Sequence, residues 1–147
     1  MHVVRENATS RQGYTKETVL MRGKTKKILI IEDELDILNF ASRVLELEGY
    51  HILRAKDGDE GLTLAREKQV ALVLLDLRLP KRDGWAVLQQ MKAEPALSAI
   101  PVVVFTASAG LPQREKAFSM GAINYLVKPL SATSLKKAVT SAMEQQE

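Results

Sequence analysis

The sequence predicts an α/β fold: a five-stranded, parallel, doubly wound sheet flanked by five helices. Three observations carry this. From Lys27 onward, short apolar runs alternate with stretches of helical spacing, the signature of successive strand-helix units. The runs around Val70 and Ile100 are apolar almost throughout, as strands covered on both faces must be. Charged residues follow the runs at their carboxyl ends, where open α/β sheets present their ligand-binding groups.

The strands are expected at residues 28–31, 51–55, 70–75, 100–105 and 123–127, and the second, with His51 and Arg54, reads as an edge. Between the first two, Ile37, Leu38, Ala41, Val44 and Leu45 form a helical stripe that Gly49 closes. Asp83 caps a helix whose Val87, Leu88 and Met91 face inward and which Pro95 stops. Pro112 suits the first turn of a helix running toward Gly121. Ser131 caps the last helix, with Leu135, Ala138, Val139 and Ala142 as its buried stripe. Right-handed crossovers join these units. Residues 25–147 then make one domain, and residues 1–24, without period or caps, are expected to be a disordered basic leader.

Composition narrows the function. A chain of 147 residues, 46% hydrophobic and 27% charged, has room for one globular core. The absence of cysteine excludes disulfide frameworks, thiolate catalysis and cysteine-based zinc sites. No apolar stretch approaches the roughly 20 residues that cross a bilayer, and no secretory core opens the chain, so a cytoplasmic protein with no membrane insertion is expected. The net charge of +3 is unevenly placed: residues 1–27 carry +5 and the remainder about −2. Basicity therefore belongs to the leader, and nucleic acid is not the expected partner of the folded part.

Glu32 and Asp33 follow the first strand, Asp76 the third, Thr106 the fourth and Lys128 the fifth, so all should meet at one sheet edge. Carboxylates gathered there repel one another unless a cation intervenes, and hard oxygen donors favour Mg²⁺. A lysine opposite such an ion is suited to hold a transferred phosphoryl group. Tyr125 reads as a half-buried strand aromatic and Trp85 as a packing residue at a helix start.

The stretches Ile28-Leu-Ile-Ile-Glu-Asp-Glu34, Asp76-Leu-Arg-Leu-Pro-Lys-Arg-Asp-Gly84, Phe105-Thr-Ala-Ser108 and Gly121-Ala-Ile-Asn-Tyr-Leu-Val-Lys-Pro129 resemble, in this order, the response regulator receiver domains of two-component signalling. The resemblance covers residues 27 to about 145 and implies the flavodoxin-like receiver fold. It implies that Asp76 is the phosphoacceptor, attacking a phosphohistidine of a sensor histidine kinase or phosphotransfer protein. Asp33, Asp76 and the Arg78 carbonyl would ligate Mg²⁺, with Glu32 acting through water. Lys128, Thr106 and the Ala107 N–H would bind the phosphoryl group, and Thr106 with Tyr125 would form the switch. Lys128-Pro129 matches a bond that is cis in the family. The acidic pair is Glu-Asp where many relatives have Asp-Asp, and Arg78 and Ser108 stand where the family varies to set phosphoryl lifetime.

The expected function is a stand-alone response regulator, since the sequence stops at Glu147, just past the last helix. Its product is a changed surface and not a metabolite, so it is not expected to be an enzyme in the ordinary sense. A downstream protein would read the helix four, strand five and helix five face. Two alternatives stand beside this: the receiver half of a DNA-binding transcriptional regulator, and a flavodoxin-like or hydrolase-type enzyme. The latter needs a second aspartate two residues after Asp76, or a phosphate-cradling loop after the first strand. Arg78 and Glu32-Asp33-Glu34 stand there instead.

Overall fold

The computed structural model describes residues 26–145; the leader expected at 1–24 lies outside them. Strands β1 (Lys27–Ile31), β2 (His51–Ala55), β3 (Leu72–Asp76), β4 (Val102–Thr106) and β5 (Asn124–Val127) alternate with five helices. These are α1 (Leu35–Glu46), α2 (Gly58–Glu67), α3 (Gly84–Ala93), α4 (Leu111–Ser119) and α5 (Ala132–Glu144). All strand pairs are parallel and the order is β2-β1-β3-β4-β5, so β2 is an edge as its polar residues predict.

The period-2 alternation of the strands divides the interior into two apolar layers. Leu29, Ile31, Val73, Leu75, Val102 and Val104 pack beneath α2, α3 and α4, together with Leu62, Val87, Leu88, Met91 and Ala117. Ile28, Ile30, Leu72, Leu74, Val103 and Phe105 face α1 and α5, meeting Leu38, Ala41, Leu45, Leu135, Ala138 and Val139. Both strand faces are thus spoken for, which is why β3 and β4 are buried at every position.

Three strands begin later than their apolar runs, β5 by one residue and β3 and β4 by two. Ala71 gives only a lead-in bond to the Lys27 carbonyl (2.8 Å) before β3 starts at Leu72. Pro101 has no N–H to donate, and the Ile100 carbonyl accepts from Lys92 Nζ at 2.9 Å, so the β4 ladder starts at Val102. The helix ends follow local chemistry. Asp57, Asp83 and Ser131 side chains accept the Glu60, Ala86 and Ser134 backbone N–H groups at 2.8, 2.8 and 3.0 Å. Gly49 and Gly121 carry φ of 97° and 107° at the ends of α1 and α4. The helix before Gly121 ends at Ser119, and the Lys128-Pro129 bond is cis.

Gly84 fixes where α3 meets the sheet. A Cβ there would lie 2.3 Å from the Asp76 carbonyl oxygen and 2.4 Å from Leu77 Cα, so only glycine lets the helix start against the end of β3. Its N–H donates to the Leu77 carbonyl at 3.0 Å. The β3–α3 connection is further held by ion pairs from Lys81 to Asp57 (3.3 Å) and Arg82 to Asp59 (2.8 Å). No helix among the described residues is long and apolar enough to cross a membrane.

Candidate functional site

The sheet order reverses between β1 and β3: the chain steps from β1 to β2 on one side, then returns to build β3, β4 and β5 on the other. The crevice at the carboxyl ends of β1 and β3 is therefore the switch point at which such sheets bind ligands. Glu32 and Asp33 leave β1 there, Asp76 is the last residue of β3, Thr106 the last of β4, and Lys128 follows β5 directly. Hydrogen bonds from Glu32 N to the Ala55 carbonyl (3.0 Å) and from Lys128 N to the Thr106 carbonyl (2.8 Å) extend the sheet into these residues. Their side chains are thus set by backbone pairing and not by a mobile loop.

The carboxylates of Glu32, Asp33 and Asp76 each offer an oxygen within 4.8 Å of the others. Glu32 is fully buried, Asp76 is 2% exposed, and Asp33 opens to solvent. Lys128 Nζ is the cation among them, 2.8 Å from Glu32 Oε1, 3.0 Å from Asp76 Oδ2 and 3.3 Å from Glu34 Oε1. The contacts to Asp76 and Glu34 are directed hydrogen bonds, whereas Glu32 Oε1 is paired by charge without hydrogen-bond alignment. The other oxygens accept backbone donors: Glu32 Oε2 from Glu34 N at 2.9 Å and Asp76 Oδ1 from Arg78 N at 3.1 Å.

One ammonium cannot neutralise this set. Burial, aided by the Asp76 charge, lifts the Glu32 carboxyl to about 7 even though Lys128 and the Glu34 N–H pull it down. Burial also works against the charged form of Lys128, but Glu32 and Asp76 outweigh it and raise its pKa. A fully buried carboxylate with an unaligned oxygen, beside two further hard oxygen donors, is the donor set a small divalent cation takes, so the residues present fit Mg²⁺.

Thr106 is 1% exposed, and its hydroxyl has no hydrogen-bond partner among the described residues; Ala107 stands exposed directly after it. Tyr125 differs from its half-buried expectation. It is 3% exposed, in the layer beneath α2, α3 and α4, and its hydroxyl donates to the Ser108 carbonyl at 2.8 Å. The Arg114 guanidinium stands 5.8 Å from its ring centroid and 5.7 Å from that of Phe118. Trp85 is half-buried at the start of α3, with Lys116 Nζ 4.3 Å from its ring centroid. The structure thus gathers Glu32, Asp33, Asp76 and Lys128 at one point. It adds Glu34, which the sequence marks only as a third acidic residue after β1.

The comparisons with known proteins agree with this geometry. Residues 28–140 match the model of the response regulator receiver domain family. The DNA-binding dual master transcriptional regulator RpaA of Synechocystis sp. is 36% identical over 117 residues, which are 80% of this chain and 48% of that protein. The chain spans about half the length of the curated relatives it matches. Among solved structures, a CheY-like response regulator receiver domain protein of Methanospirillum hungatei JF-1 is 29% identical with a TM-score of 0.75, covering 82% of this chain and 95% of that one. The receiver domain of sensor histidine kinase PA1611 from Pseudomonas aeruginosa PAO1, with a magnesium ion coordinated in its active-site cleft, is 25% identical with a TM-score of 0.75. That match covers 81% of this chain and 98% of the other. From its sheet order, from the acidic cluster at the switch point and from these matches, the chain belongs to the response regulator receiver domain family.

Proposed function

We propose that the chain is a phosphoryl-accepting switch in which Asp76 is the acceptor. The observation that carries this is the placement of Asp76: a nearly buried carboxylate ending the central strand, bonded to Lys128 at 3.0 Å and clustered with Glu32 and Asp33. An Asp76 oxygen forms the new bond to phosphorus as the bond to the donor breaks, and the leaving group departs with its electron pair. With a phosphohistidine of a sensor histidine kinase or phosphotransfer protein as donor, the leaving group is the imidazole.

Asp33, Asp76 and the Arg78 carbonyl would hold Mg²⁺, with Glu32 acting through water. The ion, when bound, screens the carboxylates from the anionic phosphoryl group. Lys128 supplies the fixed positive charge on the other side, and the Thr106 hydroxyl and Ala107 N–H donate to phosphoryl oxygens. Thr106, unpartnered at rest, is free to turn toward the new group. Tyr125 and the Ser108 carbonyl beside it then carry the change to α4 and β5.

The proposed output is phosphorylation-dependent binding of a downstream protein by a cytoplasmic, stand-alone regulator. Leu111 and Phe118 on α4 and Val127 on β5 are large apolar side chains left exposed, which supports the α4 and β5 part of the expected α4, β5 and α5 face. The catalysis involved is only the chain's own phosphorylation and dephosphorylation. A second reading has its own support: RpaA is a DNA-binding regulator about twice as long as the shared region. Binding assays with and without acetyl phosphate and Mg²⁺ separate the two. Phosphorylation-dependent capture of a protein partner supports the first reading, and output that requires an attached DNA-binding segment supports the second.

A further inference from the structure

Lys128 has three N–H donors and three carboxylate oxygens around it, at 2.8, 3.0 and 3.3 Å. Its directed hydrogen bonds go to Asp76 Oδ2 and Glu34 Oε1, and a phosphoryl oxygen arriving on Asp76 competes with all three oxygens for the ammonium, so the contact most easily given up matters. Glu32 yields less readily: its side chain has no exposure, so bulk water cannot take the place of the ammonium. Asp76 is the group that receives the phosphoryl. Glu34 is 62% exposed and has water as an alternative partner. Among the described residues it is also the one acidic helix-start residue whose side chain makes no cap: Asp57 and Asp83 cap α2 and α3, whereas Glu34 precedes α1 and reaches back to Lys128.

Resting on the phosphoryl-acceptor reading, we propose that Glu34 is a positioning residue for the transfer. It holds Lys128 in the resting state, is exchanged for the phosphoryl group during reaction, and slows attack by anionic donors. Two effects act together. Glu34 occupies an N–H of Lys128 that the phosphoryl group needs, and its negative charge stands at the mouth through which a dianionic donor enters. Glu34→Gln removes the charge and leaves only a neutral amide oxygen to accept from Lys128, while keeping the shape of the side chain at an exposed position.

The test measures the rate at which acetyl phosphate labels Asp76, read by intact mass at saturating Mg²⁺. In that step Asp76 forms the bond to phosphorus and acetate leaves with the electron pair. Glu34→Gln should react roughly threefold to tenfold faster than wild type at low salt, and the ratio should shrink toward one near 0.5 M salt because the charge is exposed and screened. The affinity for beryllofluoride, a phosphoryl mimic, should rise in parallel. A merely structural role for Glu34 would alter the unfolding midpoint and would not produce this salt dependence. Wild-type protein that is labelled at Asp76 while Glu34→Gln reacts no faster at low salt overturns the proposal alone. Failure of wild type to be labelled overturns the acceptor reading on which it rests.

Discussion

Glu32 makes the metal-free fold sensitive to pH in a window where few carboxyl groups titrate. Its carboxyl is raised from 4.5 to about 7 by burial, so the folded state binds the proton more tightly than the unfolded state. Stability from this group is fully present below about pH 4.5, is lost as pH rises through 7, and is flat above about 8. A difference of some 2.5 pKa units amounts to up to about 3 kcal/mol, since one unit is about 1.4 kcal/mol. Asp57 and Glu94 have the opposite sign. Their carboxyls are depressed by the Glu60 N–H and by Arg66, so their contributions are lost only as pH falls below the ordinary carboxylate range. Urea unfolding between pH 5 and 8.5, followed by Trp85 fluorescence, should therefore show the midpoint falling by about 1–2 M as pH rises. Added Mg²⁺ should stabilise more at pH 8 than at pH 5.5, because ion and proton compete for the same buried charge. Glu32→Gln should flatten the profile. A wild-type midpoint that does not change from pH 5 to 8, or a slope that survives Glu32→Gln, refutes the assignment of that proton to Glu32.

Other perturbations test separate links. Asp33→Ala should weaken Mg²⁺ at least tenfold, about 1.4 kcal/mol, with Glu32→Ala doing less, measured by a Trp85 fluorescence titration; wild-type affinity in both variants would remove the acidic pair from the metal site. Gly84→Ala forces a methyl group against the Asp76 carbonyl, so it should cost about 2 kcal/mol or more in urea unfolding and also weaken Mg²⁺; a neutral result would mean α3 shifts freely against β3. Lys128→Ala should still bind Mg²⁺ but leave NMR shifts around Tyr125 unmoved by phosphorylation, whereas normal propagation would make Lys128 only a counter-ion for the carboxylates.

The parts of this molecule legible in the sequence are those decided locally. The α1 stripe, the Asp83 and Ser131 caps and the apolar β3 and β4 each depend on residues within a few positions, and the structure reproduces them. The convergence of Glu32, Asp33, Asp76 and Lys128 was legible because a parallel sheet puts every carboxyl strand end on one edge. What escaped depends on distant partners. Glu34 looks like one more acidic residue until β5 brings Lys128 to it from 94 positions away. Alternation along the edge strand β5 does not reveal how completely its faces are covered, so the burial of Tyr125 and its bond to Ser108 are tertiary facts. The need for glycine at 84 arises from the Asp76 carbonyl and not from its neighbours in sequence.

The most direct test of the acceptor assignment is the intact mass of the chain after incubation with acetyl phosphate and Mg²⁺. Wild type should gain a single acid-labile increment of about 80 Da, the mass of one phosphoryl group bound to a nucleophilic carboxylate, and Asp76→Asn should gain none. Equal labelling of wild type and Asp76→Asn would contradict the account.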